Sequence, residues 1–153
     1  MTNTASTFLW FAKDGEAAVD FYVALFPGAR LLSKQPMGPD GMMIATFELG
    51  GQHVTAMNTP HRHAFTDAIS IQFTCRDQAE IDHLWAALAK GGTELQCGWL
   101  RDRFGLTWQI IPQAMGRLMG GGTAAQSQAV MAAMRLMVKI DLAAMQAAFD
   151  GAA

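Results

Sequence analysis

Few side chains in this 153-residue chain can do chemistry, and they are dispersed. The histidines are His53, His61, His63 and His83, and the cysteines are Cys75 and Cys97. His61 and His63 form a His-x-His pair, a spacing that can chelate a metal from a strand or loop, and His53 falls on a nearby strand. These three residues make up one candidate metal set. The competing reading is a solvent-exposed linker. His83 lies on a helix and reads as a surface residue. Cys97 is the candidate nucleophile, but a catalytic thiol needs a depressed pKa and a base within reach. No histidine is near it in sequence, so a structural, half-buried thiol is the simpler reading. Asp102 reads as the cap of a turn, with Arg101 and Arg103 placed to pair with it at the surface.

Polar residues on alternating strands carry a second kind of chemistry. Leu106 to Ile111 is rich in aromatic and branched side chains and is closed by Pro112. Alternation puts Thr107, Gln109 and Ile111 on one face and Leu106, Trp108 and Ile110 on the other. Ile69 to Cys75 alternates in the same way, with Ser70, Gln72 and Thr74 opposite Ile69, Ile71, Phe73 and Cys75. The apolar faces are expected beneath helices and the polar faces along a cleft. His53 and Thr55 add to the polar set. Trp99, and either Trp10 or Phe11 according to register, supply aromatic walls. Neutral donors and acceptors among apolar groups suit a small organic ligand.

The elements that must position these residues occur twice. Phe8 to Phe11 reads as a buried strand, followed by a helix that Asp14 can cap and whose stripe is Ala18, Phe21, Tyr22 and Leu25. Pro27-Gly28 stops it. Strands follow at Arg30 to Gln35, Met43 to Leu49 and His53 to Asn58, the first two joined by the loop Pro36 to Gly41 and the last two by a Gly50-Gly51 hairpin. The order then recurs: a strand from Ile69 to Cys75, a helix capped by Asp77 and bearing Ile81, Leu84, Trp85 and Leu88, then Gly91-Gly92. Strands at Glu94 to Cys97 and Leu106 to Ile111 follow, with a weaker one near Trp99. Asp14 and Asp77, Phe21 and Leu84, Tyr22 and Trp85, Leu25 and Leu88, and Gly28 and Gly91 are all 63 residues apart, the mark of an internal repeat. Each half reads βαβββ. Beyond Pro112, Gly120 to Gly122 form a joint. A Met-rich helix spans Thr123 to Met137, and Asp141 caps a last helix bearing Leu142, Met145 and Phe149. These methionines are expected to pack on their own domain or, preferentially, on a second subunit.

Composition narrows the class further. Half of the residues are hydrophobic, 16% are charged and the net charge is −2, which suits a folded core and excludes a nucleic-acid or anionic-membrane surface. No apolar run approaches the roughly 20 residues of a membrane span. With two cysteines and no signal peptide, free thiols in a reducing cytoplasm are expected.

Paired βαβββ modules resemble the vicinal-oxygen-chelate superfamily of glyoxalase I, extradiol dioxygenases and bleomycin-resistance proteins. The sequence is most similar to its PhnB-like branch, labelled 3-demethylubiquinone-9 3-methyltransferase-like. The residues carrying this are Leu9-Trp-Phe11, the helix with Glu16, Ala18 and Phe21-Tyr22, Phe65 and Ala68-Ile-Ser70. Cys97-Gly-Trp99, Asp102, Gly105, Trp108-Gln109 and Pro112 complete it, with a tail like Met134 to Leu142. The resemblance covers about residues 7 to 148. It implies an α+β fold whose two curled mixed sheets enclose a cleft, followed by C-terminal helices. The expected organisation is one domain over 1–153, with module 1 at about 5–60, module 2 at about 66–113 and the helical tail at about 121–150.

Superfamily enzymes hold a divalent metal with His and Glu on the inner sheet faces. Mapped onto this sequence, those positions fall on Thr7 (Phe8 if the loop slips), Thr55, Ser70 and Gln109, where a Glu would be expected in place of Gln109. Hydroxyls and one amide are poor ligands for Zn²⁺, Fe²⁺ or Ni²⁺. No metal or other cofactor is therefore expected. A methyl-donor site wants a glycine-rich turn between a parallel strand and a helix, and neither Met37 to Gly41 nor Gly120 to Gly122 has that context. The expectation is a cytoplasmic homodimer that binds a small organic molecule without a metal, the cleft being lined by Thr7, Trp10, His53, Thr55, Ser70, Gln72, Trp99, Thr107 and Gln109. A metal- or Cys97-dependent enzyme and a ligand-free structural or regulatory dimer are the alternatives.

Overall fold

A computed structural model describes residues 5–39 and 41–152, so Asp40 of the Pro36 to Gly41 loop lies outside the described residues. The chain divides into two compact units, Met1–Ala64 and Phe65–Ala153, and the C-terminal helices belong to the second.

The first unit runs β1 (Thr7–Phe11), α1 (Gly15–Leu25), β2 (Arg30–Pro36), β3 (Met43–Leu49) and β4 (Gln52–Asn58). Its sheet has the order β1-β4-β3-β2, with β1 parallel to β4 and the other pairings antiparallel. In β3 the alternation is clean. Met43, Ala45, Phe47 and Leu49 are buried against α1, while Ile44, Thr46 and Glu48 face away. Val54 and Ala56 of β4, Leu9 and Phe11 of β1, and Ala18, Val19 and Tyr22 of α1 complete the core. Asp14 does not cap α1 as expected. It is left-handed (φ 59°), its side chain makes no capping bond, and Asn58 Oδ1 accepts from Gly15 N at 3.0 Å instead. Gly15 is required there, because a Cβ would come within 2.9 Å of both Asn58 and Phe11.

The second unit repeats this with β5 (Ile71–Cys75), α2 (Gln78–Ala89), β6 (Thr93–Glu94), β7 (Trp99–Arg101) and β8 (Thr107–Pro112), in the order β5-β8-β7-β6. The strand pairings have the same senses as in the first unit, so the repeat read from five matched pairs is a repeat of topology. Asp77 caps α2 by accepting from Glu80 N at 2.9 Å. Strand β5 begins two residues later than expected, and Ile69, expected under a helix, is 71% exposed. The strand expected over Glu94 to Cys97 is confined to β6, and the weaker candidate near Trp99 is the true third strand.

The tail contains α3 (Met115–Gly120), α4 (Ala124–Met134) and α5 (Leu142–Gly151). Helix α3 was not anticipated. Thr123 and Gln126 form a capping box on α4, and Asp141 caps α5 through Ala144 N. Helix α4 stops at Met134, short of Met137, because the next residues pair elsewhere. Met137 O and Val138 O accept from Cys97 N and Gly98 N, each at 2.8 Å. Gln78 bonds both Ile140 O and Leu142 N, and Lys139 pairs with Asp82. With Val130, Ile140 and Met145 fully buried, the tail is part of the second unit's core.

Candidate functional site

The helix-free sheet faces carry the candidate side chains. In the second unit α2 covers one face of β5, β7 and β8, burying Cys75, Leu100, Trp108 and Ile110. Cross-strand register then places Gln72, Gln109 and Trp99 in one row on the other face, with Thr107 beside Arg101 in the next. Ser70, just before β5, accepts from Gln109 Nε2 at 2.8 Å. Five expected residues of this unit, Ser70, Gln72, Trp99, Thr107 and Gln109, therefore share one face. The arrangement contains neutral amides and hydroxyls beside one indole.

In the first unit the register separates two residues that the sequence mapping joined. Thr7 pairs with Val54 and so points to the helix side, where its hydroxyl accepts from Gln52 Nε2 at 3.2 Å. Phe8, the alternative, is the residue beside Thr55 on the helix-free face. Thr55 sits opposite Thr46, and His53 opposite Glu48. Ser6, Thr46, Gln52, His53 and Thr55 line a depression of about 620 Å³. Trp10, not Phe11, is the aromatic on this face: it is 39% exposed, against 2% for Phe11.

His53, His61 and His63 do not form a metal site. Among the described residues no three His, Cys, Asp or Glu side chains are placed to hold a metal ion. His61 Nδ1 accepts from His63 N at 2.9 Å, leaving Nε2–H to donate to Trp10 O at 3.0 Å. Both ring nitrogens are thereby engaged in fixing the segment that leaves β4. The His61 and His63 rings stack 5.4 Å apart and lie 4.4 and 5.5 Å from Trp10.

Four residues of the resembling run, Cys97, Gly98, Asp102 and Gly105, are engaged in turns. Asp102 is buried and takes three donors: Phe104 N at 2.8 Å, Leu106 N at 3.1 Å and Trp108 Nε1 at 2.8 Å. Arg101, expected from sequence to pair with Asp102, pairs with Asp67 instead. Gly105 closes the same turn at φ 90°. Cys97 and Gly98 are both left-handed (φ 61° and 80°), which aims their amides at the tail. A Cβ on Gly98 would lie 2.8 Å from Ile140 and 2.9 Å from Ile110 O. Cys97 and Cys75 are free thiols, and burial pushes the Cys75 thiol up to about 12. Cys97 stands in the left-handed turn, and its amide donates to Met137 O. Asp67, which bonds Arg101 and Thr107, was missed because it stands in an irregular segment with no periodic pattern to mark it.

Two four-stranded mixed sheets, each built as βαβββ with its parallel strand at one edge, define the vicinal-oxygen-chelate class. Residues 3–111 match the family described as 3-demethylubiquinone-9 3-methyltransferase, and the chain belongs to that family. It is similar to a putative 3-demethylubiquinone-9 3-methyltransferase, a PhnB protein, from Bacillus cereus (30% identity, covering 72% of this chain and 99% of that one, TM-score 0.67). A protein from Pseudomonas aeruginosa shares the fold at 21% identity (72% and 98% covered, TM-score 0.63). So does a variant of the fosfomycin resistance protein FosX from Listeria monocytogenes, in complex with Mn(II) and dihydroxypropylphosphonic acid (13% identity, 77% and 98% covered, TM-score 0.55). No curated protein matches the sequence.

Proposed function

We propose that this protein binds a small organic molecule on a helix-free sheet face, without a metal. The observation that carries it is the Gln109–Ser70 hydrogen bond, 2.8 Å long and flanked by Gln72 and Trp99. A divalent cation such as the Mn(II) in the FosX complex needs carboxylate or imidazole ligands. Where the superfamily resemblance implies a Glu, this chain has an amide tied to a hydroxyl. Thr55 stands beside Phe8 and Thr46, which supply no ligand charge. The donors do not fit the metal.

Neither does methyl transfer fit the fold. Met37 and Gly41 belong to the connection between antiparallel β2 and β3, and Gly120 to Gly122 join two helices. Neither stretch leads from a parallel strand into a helix, the context that cradles a methyl donor in a doubly wound sheet. Partly exposed Met131 and Val138 and fully exposed Leu136 support assembly as a homodimer through the tail. The free thiols support a reducing, cytoplasmic location, and no helix among the described residues is long and apolar enough to cross a membrane.

The test combines metal analysis of chelator-washed protein with native mass spectrometry of protein as purified. Well under one equivalent of divalent ion, and an organic adduct that Gln109→Ala releases, are expected. One tightly held equivalent per chain would overturn the metal-free reading.

A further inference from the structure

Before β5 the chain runs as an irregular segment, Phe65 to Ser70, along the end of the second sheet. Its Asp67 carboxylate meets three donors. Arg101 Nε donates to Oδ1 at 3.2 Å, Arg101 Nη2 donates to Oδ2, and the Thr107 hydroxyl donates to Oδ1 at 2.7 Å. Arg101 and Thr107 are direct cross-strand neighbours, two register steps from the Trp99–Gln109 pair on the same face. A planar guanidinium fork and a hydroxyl converging on two oxygens is the geometry by which proteins hold carboxylate and phosphate groups.

The donors and the acceptor are held very differently. Both donors stand on hydrogen-bonded strands, and Thr107 is only 1% exposed. Asp67 hangs from a turn held by Ile69 N to Thr66 O at 3.3 Å and Ala68 N to the Thr66 hydroxyl at 3.2 Å. The side chains of Arg101 and Asp67 are 41% and 44% exposed, a setting in which an ion pair contributes little. The hydrogen bonds from Arg101, and then from Thr107, hold the Asp67 carboxyl below the usual carboxylate range, so it is anionic at neutral pH.

We propose that Arg101 and Thr107 form an anion subsite that the chain fills with its own Asp67, and that the acidic group of a small organic acid displaces it. The exchange is balanced: one anion leaves the fork as another enters, and no charge is left buried without a partner. The inference rests on the ligand-binding reading above and specifies the ligand class as a carboxylate, phosphate or phosphonate.

The test titrates the full chain with inorganic phosphate, and separately with acetate, following the Thr107 amide and Arg101 Nε by NMR. Asp67→Ala is expected to bind phosphate about fivefold more tightly than the wild type, since the internal competitor is gone. Asp67→Ala/Arg101→Ala is expected to lose that binding. Asp67→Asn, which keeps the side-chain size and an acceptor for Thr107, is the second variant should Asp67→Ala not fold. Unchanged affinity in the folded Asp67 variant, or tightening that survives loss of Arg101, would overturn the subsite. Such a failure leaves the organic-ligand reading intact, because that reading is tested by adduct release at Gln109.

Discussion

Replacing Asp102 by Ala is the sharpest test of the claim that the family-like run is architecture. The carboxylate is 3% exposed and accepts from two backbone N–H groups and the Trp108 indole. Charge-assisted bonds of this kind contribute about 1.5–3 kcal/mol each, and a buried donor left unsatisfied costs about 1–3 kcal/mol. Trp108 is fully buried and Leu106 nearly so, so water cannot readily replace the lost acceptor at either donor. Phe104 N is nearer the surface and recovers more of its bonding from solvent. These terms are not additive, which brings the expected loss to about 3–5 kcal/mol. At about 2–4 °C per kcal/mol for a chain of this size, the melting temperature falls by about 6–20 °C.

Urea unfolding followed by circular dichroism measures this directly, with Trp108→Phe completing a double-mutant cycle. A coupling energy of about 1 kcal/mol or more between Asp102 and Trp108 is expected. Asp102→Asn should fall between wild type and Ala, because an amide can accept at one oxygen but presents donors at the other position. A loss below about 1 kcal/mol, or zero coupling, would refute the account.

Gly98→Ala should destabilise by about 2–5 kcal/mol through left-handed strain and the clash with Ile140, and hydrogen exchange at the Cys97 and Gly98 amides should rise as the tail detaches. Iodoacetamide at pH 8 should modify Cys97 and leave Cys75 unreacted until the protein unfolds, as mass mapping can show. The Cys75 thiol is raised from 9.0 to about 12 in the fold, so the unfolded chain releases its proton first. Stability from this group is intact below pH 9 and declines as pH rises from 9 towards 12, visible as a falling urea midpoint. Light scattering on the intact chain should give a dimer, and Leu136→Glu should shift it towards monomer if the exposed tail surface is the contact.

The sequence by itself determined the repeat and the faces of Leu106 to Ile111, but not those of Phe8 to Phe11, read as buried although Phe8 is 54% and Trp10 39% exposed. Period-two alternation in Leu106 to Ile111 and period-3.6 stripes at Tyr22 and Trp85 are local consequences of which side chains must leave water. Asp77 and Asp141 were likewise legible as caps, because capping is satisfied within one turn. Asp14 failed for the same reason inverted: Asn58, 43 residues beyond Gly15, accepts from the Gly15 amide at the start of the helix. Only tertiary structure decided the candidate site. A one-residue shift of register moved Thr7 to the helix side and put Phe8 beside Thr55. Asp67 carried no pattern of its own, and it matters only because β7 and β8 bring Arg101 and Thr107 to it from more than 30 residues away. Periodicity reports which face a residue takes, whereas a site depends on which faces meet, and that is settled by pairing across the chain.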